Sequence, residues 1–395
     1  MKTMRLLFLC PSYPAIGGVD TVTSLLVDFF IERGYEVYIL VPSVEKTGGG
    51  SLDKHMRYMI AMKGRLNSPE NLEFIDNFIC DHDINGVFNQ GVFSDACLHS
   101  YLHKDVLFIN TLHGCPFWEE KKFANSKLRQ LYKAEKTSYK KFKVIIRYIL
   151  GKINPRLSFP SIDSYYRERI DSSSFYVVLD EAYKLTLQNR LYGGKDQDKI
   201  RFIPNPIRLP AEIEHPKANL VLFVGRLIAA HKRVDRLLRI WKSIQDKIPD
   251  WDLFIIGDGE DRINLEKLSE SLKLDRIRFL GKRNPHPYYK IASILCLTSN
   301  YEGFPIVLPE AQSYGLVPVT FNCTEAISGI INNNVDGIIV APYDEAAFSK
   351  ELLTLINDEE RRVKMQQSAF MNVQKLNINK IGEAWLKLMD ENQSE

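Results

Sequence analysis

SNYEGFPIVLPEA, residues Ser299 to Ala311, follows an apolar run from Ile294 to Leu297 and precedes a helical pattern. A short apolar run closed by turn residues reads as a strand buried on both faces, as in a parallel sheet. Gly303, Pro305 and Pro309 punctuate the segment between strand and helix. Glycine opens backbone angles closed to other residues, and a proline is tolerated only in a first helical turn. The spacing therefore predicts a helix starting near Ile306 or Val307, its unpaired N–H groups lying over the strand end. A phosphate or other anion fits there. Glu302 and Glu310 flank the turn, eight residues apart. Such a turn suits a nucleotide-sugar, with amides taking phosphate and carboxylates accepting from hydroxyls. The plainer alternative leaves Glu302 solvated and Glu310 favouring the positive end of its helix.

Outward from this stretch, both halves of the chain alternate strands and helices. Leu6 to Cys10 reads as a strand, PSYPAIGGVD as a loop, Thr21 to Arg33 as a helix and Glu36 to Val41 as a second strand. That is the beginning of a doubly wound α/β domain. Gly17-Gly18 would let backbone approach a ligand at the mouth of the sheet, or it is a plain turn. Thr47 to Ser51 reads as a Gly-rich loop, Pro69 to Asp81 and Ser94 to His103 as helices, and Gly86 to Asn89 as a strand. Val106 to Leu112 is a strand ending at His113-Gly114. The carboxyl end of a parallel strand is where such folds place ligand-contacting groups, although a structural histidine occupies the same position equally well. Strands Ser174 to Leu179 and Arg201 to Pro204 lead into the Pro-rich stretch Pro204 to Pro216, the natural boundary between domains. A second series begins at LVLFVG, Leu220 to Gly225, with a helix over Val234 to Ile248. Strands Asp252 to Ile256, Ile277 to Leu280, Ile294 to Leu297, Val317 to Phe321 and Gly337 to Ala341 complete it, and Glu345 to Glu395 reads as helical.

Composition agrees with two domains. The 395 residues exceed one ordinary core, and 45% hydrophobic with 26% charged residues is a globular balance. Charge is unevenly spread: Lys121 to Arg156 holds 12 Lys or Arg against one acid, Glu135, so the rest of the chain is net acidic although the total is +3. Within it Phe142, Ile145, Ile146, Ile149 and Leu150 share one helical face, opposite Lys136, Lys140, Lys143 and Arg147. This pattern suits an anionic membrane surface or an anionic acceptor; the alternative is a solvated face over a core stripe. No nucleic-acid module is recognisable, so nucleic acid is not expected as a partner. No run approaches the length of a membrane span. Six scattered cysteines without a CxxC pair read as reduced thiols in a cytoplasmic protein, and Leu6 to Cys10 is too brief for a signal peptide. The acids of Asp81-His82-Asp83 and Asp196-Gln197-Asp198 read as solvated turn residues.

Several ordered segments resemble the family 4 glycosyltransferases of the GT-B superfamily. They are YVVLDEAYK (Tyr176–Lys184), IPNPI (Ile203–Ile207), FVGRLIAAHKRVDRLL (Phe223–Leu238), IIGDGEDR, FLGKRN and EGFPIVLPEAQSYGLVPV. The resemblance covers nearly the whole chain and is strongest from Ser174 to Ala341. It implies an α/β GT-B fold, two facing Rossmann-like domains with a cleft between them. Residues 1–206 would form the acceptor domain, with a C-terminal helix of about 376–395 packing back on it, and 207–375 the nucleotide-sugar domain. It also implies a retaining, metal-independent hexosyltransferase that uses a UDP- or GDP-sugar as substrate and needs no cofactor.

By the same resemblance, Arg226 and Lys232 neutralise the diphosphate, Glu302 orients the transferred sugar and Glu310 binds ribose hydroxyls. The backbone of Gly303, Phe304, Pro305 and Ile306 holds sugar and phosphate, and that of Lys282 and Arg283 meets the base. Gly17, Gly18 and His113 close over the donor sugar. The acceptor would be a glycan or lipid-linked glycan on the inner face of a bacterial membrane, with the protein peripherally attached through Lys121 to Arg156. Departures from the family pattern are Asp20 where the Gly-Gly loop commonly carries Glu, Asp180 in place of Ser, Arg233 in place of Gly, and Pro309 in place of an aliphatic residue. Two alternatives stay open: a nucleotide-sugar epimerase of the same fold, which would need acid/base groups acting on the free donor, and a non-catalytic nucleotide-binding subunit of a glycosyltransferase complex.

Overall fold

The computed structural model describes residues 4–11, 13, 17–41, 59–61, 68–91, 98, 102, 105–120, 137–154, 161–211, 213 and 216–391. The loop expected at Thr47 to Ser51, most of the helix expected over Ser94 to His103, and the basic residues from Lys121 to Lys136 and at Arg156 lie outside the described residues. The chain divides into two compact units, Met1–Ile203 with Leu386–Glu395, and Pro204–Trp385.

The first unit holds β1 (Arg5–Leu9), β2 (Glu36–Val41), β3 (Met59–Ala61), β4 (Gly86–Asn89), β5 (Leu107–Leu112), β6 (Phe175–Val178) and β7 (Ile200–Phe202). They form one parallel sheet in the order β3-β2-β1-β4-β5-β6-β7. In the second unit β8 (Leu220–Val224), β9 (Asp252–Ile256), β10 (Ile277–Gly281), β11 (Ile294–Leu297), β12 (Val317–Phe321) and β13 (Ile338–Val340) pair in the order β10-β9-β8-β11-β12-β13. Each unit thus has the doubly wound Rossmann order, with the strand sequence reversing between β1 and β4 in one and between β8 and β11 in the other. Ligands bind outside the carboxyl ends of the strands at such a reversal. The runs are apolar without alternation because both faces are covered: every residue of β11 and β12 is buried.

Most element boundaries fall within a residue or two of the sequence reading. The helix beginning at Val234 ends earlier than expected, at Ile244, and a 3₁₀ turn spans Gln245–Lys247. The reason is local. Arg276 donates to the Gln245 carbonyl at 2.6 Å, and the Gln245 side chain accepts from the Asp275 amide at 3.0 Å. Those bonds compete with further helix. Strand β3 and the helix Ile162–Asp171 were not foreseen.

Trp241 anchors the second core. Its side chain is fully buried beside β8, and its indole N–H donates to the Asp275 carbonyl at 3.0 Å. Trp241→Ala should therefore cost about 3–5 kcal/mol, the range for truncating a buried aromatic. Urea denaturation followed by circular dichroism checks this, and a loss below about 1 kcal/mol would contradict the packing described.

Candidate functional site

The site begins with a close contact between glycines. Strand β8 ends in GRLIAAHK, Gly225 to Lys232, and β9 ends in GDGED, Gly257 to Asp261. The two turns bond backbone to backbone: Leu227 N–H to the Asp258 carbonyl at 2.9 Å and Asp261 N–H to the Leu227 carbonyl at 3.1 Å. Asp261 also accepts from the Ala229 amide at 2.6 Å. A Cβ on Gly257 would lie 1.8 Å from the Gly225 oxygen, and Gly257 has a φ of +141°. One on Gly259 would lie 2.5 Å from the Leu227 oxygen. No other residue fits at Gly257, and the glycines set the height of the loop that carries the cations.

That loop meets the turn after β11. Asn300 N–H donates to the His231 carbonyl at 2.8 Å and its amide side chain to the Ala230 carbonyl at 2.9 Å. Arg233 takes left-handed backbone, φ 48°, and caps the helix Val234–Ile244; its guanidinium is bound to Asp235. The result is a buried ion pair, Lys232 Nζ to Glu302 Oε1 at 2.7 Å, with the Ser299 hydroxyl donating to the same oxygen at 2.5 Å. Burial pushes the Glu302 carboxyl up, but the charge of the Lys232 ammonium in contact overcomes it and holds the pKa at about 2. Glu302 is therefore buried and ionised, not the solvated residue of the plainer reading. Arg226 extends from the same loop, exposed, and among the described residues makes no ion pair.

The helix beyond the turn is Val307–Ser313, with Ile306 as its N-cap, in agreement with the spacing, and Pro309 lies in its first turn. Phe304, Pro305 and Ile306 are buried, and Leu308 N–H bonds the Pro305 carbonyl at 2.9 Å. Gly303 is not in the left-handed region, so the special backbone angle expected of it is not used. Glu310 lies in the same first turn, partly buried, and accepts from the Tyr289 hydroxyl at 3.0 Å. The Tyr289 ring stacks on Tyr314, whose hydroxyl meets His286 Nδ1 at 2.9 Å. Burial pushes Glu310 up to about 7, and the Tyr289 bond opposes only part of this. Lys282 and Arg283 follow β10 and are exposed; the Arg283 guanidinium turns back onto the Leu280 carbonyl at 2.8 Å.

In the first unit Gly17 caps the helix Gly18–Glu32 in extended backbone, and a Cβ there would stand 3.1 Å from the Asp20 carboxylate. His113 follows β5, and its Nε2 meets the Oε1 of Gln90, the residue after β4, at 2.5 Å. Burial pushes the imidazole down to about 4, so it is neutral at pH 7. With Nε2 donating, Nδ1 is the acceptor, and neither it nor Gln90 Nε2 has a partner among the described residues. Gln90, His231, Ser299 and Tyr289 were all missed by sequence reasoning. Only the alternating strand–turn pattern around Gln90 and the neighbourhood of Lys232 offered any signal. Asp196 is held by Lys184 at 3.2 Å and by Gln188. Among the described residues no group of three His, Cys, Asp or Glu side chains comes together as metal ligands.

The architecture is that of GT-B proteins, chains of two Rossmann-like domains. Anabaena Alr3699/HepE, solved in complex with UDP, shares it with a TM-score of 0.72 at 15% identity, over 98% of this chain and 100% of that one. Residues 208–371 match a known family, Glycosyl transferases group 1. An uncharacterized glycosyltransferase of Haemophilus influenzae is 32% identical over 53% of this chain and 59% of its own. A second relative, from Campylobacter jejuni, is 31% identical over 55% of this chain and 61% of its own. Its name is GalNAc-alpha-(1->4)-GalNAc-alpha-(1->3)-diNAcBac-PP-undecaprenol alpha-1,4-N-acetyl-D-galactosaminyltransferase. The chain thus spans about three fifths of the length of these curated relatives.

The raised Glu310 pKa has a consequence for stability. Its folded value of about 7 lies above the ordinary 4.5, so the folded state holds the proton longer. Stability is then lost as pH rises from 4.5 to about 7 and stays lost above it. Glu310→Gln should stabilise the protein by about 2 kcal/mol at pH 8, and the gain should shrink towards zero near pH 4.5. Thermal melts of both proteins across that range check the sign; a constant difference would contradict it.

Proposed function

We propose that this protein is a retaining glycosyltransferase that moves a hexose from a nucleotide-sugar, UDP- in preference to GDP-, to a growing, lipid-linked bacterial surface glycan. The observation that carries this reading is the buried Lys232–Glu302 pair at the carboxyl ends of β8 and β11, with Arg226 on the same loop. UDP in Alr3699/HepE and the undecaprenol-linked acceptor in the Campylobacter relative's name support the choice of donor and acceptor class.

On this reading an acceptor hydroxyl oxygen bonds the anomeric carbon on the face from which the diphosphate departs. The carbon–oxygen bond to phosphate breaks, and the hydroxyl proton passes to the departing phosphate oxygen. Configuration is retained without a covalent enzyme intermediate. Negative charge grows on the diphosphate as that bond breaks, and Arg226 and Lys232 lower the barrier by meeting it. Protein cations supply this charge, so the reaction requires neither metal nor cofactor. Glu302 orients the sugar and offsets positive charge at the anomeric carbon. Glu310 takes the ribose hydroxyls, and the backbone of Gly303 to Ile306 lies along sugar and phosphate. Backbone at Lys282 and Arg283 meets the base. In the first unit His113, as a neutral acceptor, and the Gly17-Gly18 loop are assigned to sugar hydroxyls.

Lys232→Ala and Glu310→Ala should each lower kcat/KM by about 10²-fold or more, measured on protein whose folding is checked by circular dichroism. Donor hydrolysis screened over UDP- and GDP-sugars gives the assay. Near-normal turnover in both variants would remove the site assignment.

We further propose that the protein attaches peripherally to the cytoplasmic face of an anionic membrane through the helix Ser138–Ile153. Tyr139, Phe142, Ile146, Ile149 and Ile153 are exposed along it. At 100° per residue these five form one stripe, while Val144 faces inward. Lys140, Lys143 and Arg147 follow one edge of that stripe. An apolar stripe turned away from the core and bordered by cations is complementary to anionic lipid. Among the described residues no helix is long and apolar enough to cross a membrane. In flotation with phosphatidylglycerol vesicles the protein should rise with the lipid. Changing Lys140, Lys141, Lys143 and Arg147 to Glu should leave it behind, as should Phe142→Ser with Ile149→Ser at high salt; unchanged flotation would refute the attachment.

A further inference from the structure

His231 has no part in the transfer chemistry just assigned, yet it stands beside the buried carboxylate. Its Nε2 lies 3.6 Å from Glu302 Oε2, too far for a hydrogen bond, while Oε1 is taken by Lys232 and Ser299. The imidazole stacks on Tyr301 with ring centroids 4.5 Å apart and planes 15° from parallel. Its backbone is pinned at both ends, N–H to the Ile228 carbonyl and carbonyl to the Asn300 amide. Among the described residues the following charged and titratable groups surround it. Arg233 is spent on Asp235, and Arg226 is exposed. From the facing turn come Glu302 and the Tyr301 phenol, and beyond them Tyr343, whose hydroxyl donates to the Asn300 carbonyl beneath Arg236. Glu302 therefore has one base in contact and a second in reserve, 26% exposed and open to solvent protons.

A diphosphate bound at this loop would compete with Glu302 for the Lys232 ammonium. The carboxylate would then lose its near cation while still buried, and an uncompensated buried charge is strongly unfavourable. We propose that His231 is a positioning residue that takes up a proton from solvent and closes onto Glu302 when Lys232 turns to the donor diphosphate. Glu302 thereby stays ionised and in place beside the sugar. The inference rests on the donor-site reading of this loop. Histidine suits the role because its charge ordinarily changes between pH 5 and 8.

The test is calorimetry of UDP binding to the full chain between pH 6 and 8, in buffers of different ionisation enthalpy, which gives protons taken up per UDP bound. Glu310 and the UDP phosphate also titrate in this window, so the reading is the difference between variants. Wild type should take up about half a proton more than His231→Gln near pH 7. His231→Lys, a permanent cation, should keep UDP affinity within about threefold of wild type yet lose the uptake, whereas His231→Gln should bind about tenfold more weakly. Glu302→Gln should also lose the uptake. Equal uptake in wild type and His231→Gln overturns the proposal. Uptake that persists in Glu302→Gln overturns it too, since the ligand's own charge would then be protonating His231. Failure of wild type to bind UDP or GDP would instead remove the donor-site reading itself, and this inference with it.

Discussion

A carboxylate taken out of water keeps its charge only if a cation accompanies it, and the second unit is arranged to keep one beside Glu302. The 2.7 Å contact with Lys232 is set by backbone, not by the reach of a flexible side chain. Asn300 ties its turn to the loop of Lys232 through His231 and Ala230, and Thr298 donates its hydroxyl to the Arg233 carbonyl at 3.1 Å. Beneath that loop Gly257 leaves no room for a Cβ against Gly225. Sequence dictates the charge pair through small residues two strands away. The desolvation cost of burying two ions is offset only because both partners are held in this geometry.

The two glutamates of the EGFPIVLPE segment show how environment separates chemically identical groups. Glu302, with a cation in contact, is held at about 2; Glu310, whose neighbours are the phenols of Tyr289 and Tyr314, is raised to about 7. Pairs of titratable groups pushed apart in this way have different functions in a site. Glu302 is a fixed negative charge across the physiological range. Glu310 changes protonation within it, and hydroxyl donors arriving on a ligand would favour its ionised form.

The sheets were legible because buried parallel strands are written as unbroken apolar runs closed by turn residues; β2, β4, β9, β11 and β12 were read with the bounds the structure gives. Brevity hid β3, three residues long. The helix Ile162–Asp171 was hidden by charge: it buries only Ile162, Tyr166 and Ile170, a thin stripe among Asp, Arg and Glu. At the site, the charged residues were legible but their partners were not. Gln90, Ser299 and Tyr289 become functional neighbours only through parallel pairing and loop contact, which no local pattern encodes. The basic helix illustrates a different limit. Periodicity found its apolar residues, but only packing shows that Val144 faces the protein while Phe142 and Ile149 face away.

Both units share a strand order, and therefore each has a reversal point where a ligand can sit, but the chemistry at the two points differs. Beyond β8 and β11 stand Arg226, Lys232 and an ionised Glu302. Beyond β4 and β5 stand Gln90 and a His113 that burial keeps neutral. A neutral imidazole with one nitrogen committed to an amide can accept from a hydroxyl but adds no charge. Among the described residues no cation stands beside His113 and Gln90 to neutralise a phosphate, whereas the second unit's loop presents an exposed guanidinium and an ammonium. Fold alone would make the units equivalent as nucleotide sites; under the proposed function it is the side chains at the two reversal points that favour anion recognition at the second and hydroxyl recognition at the first.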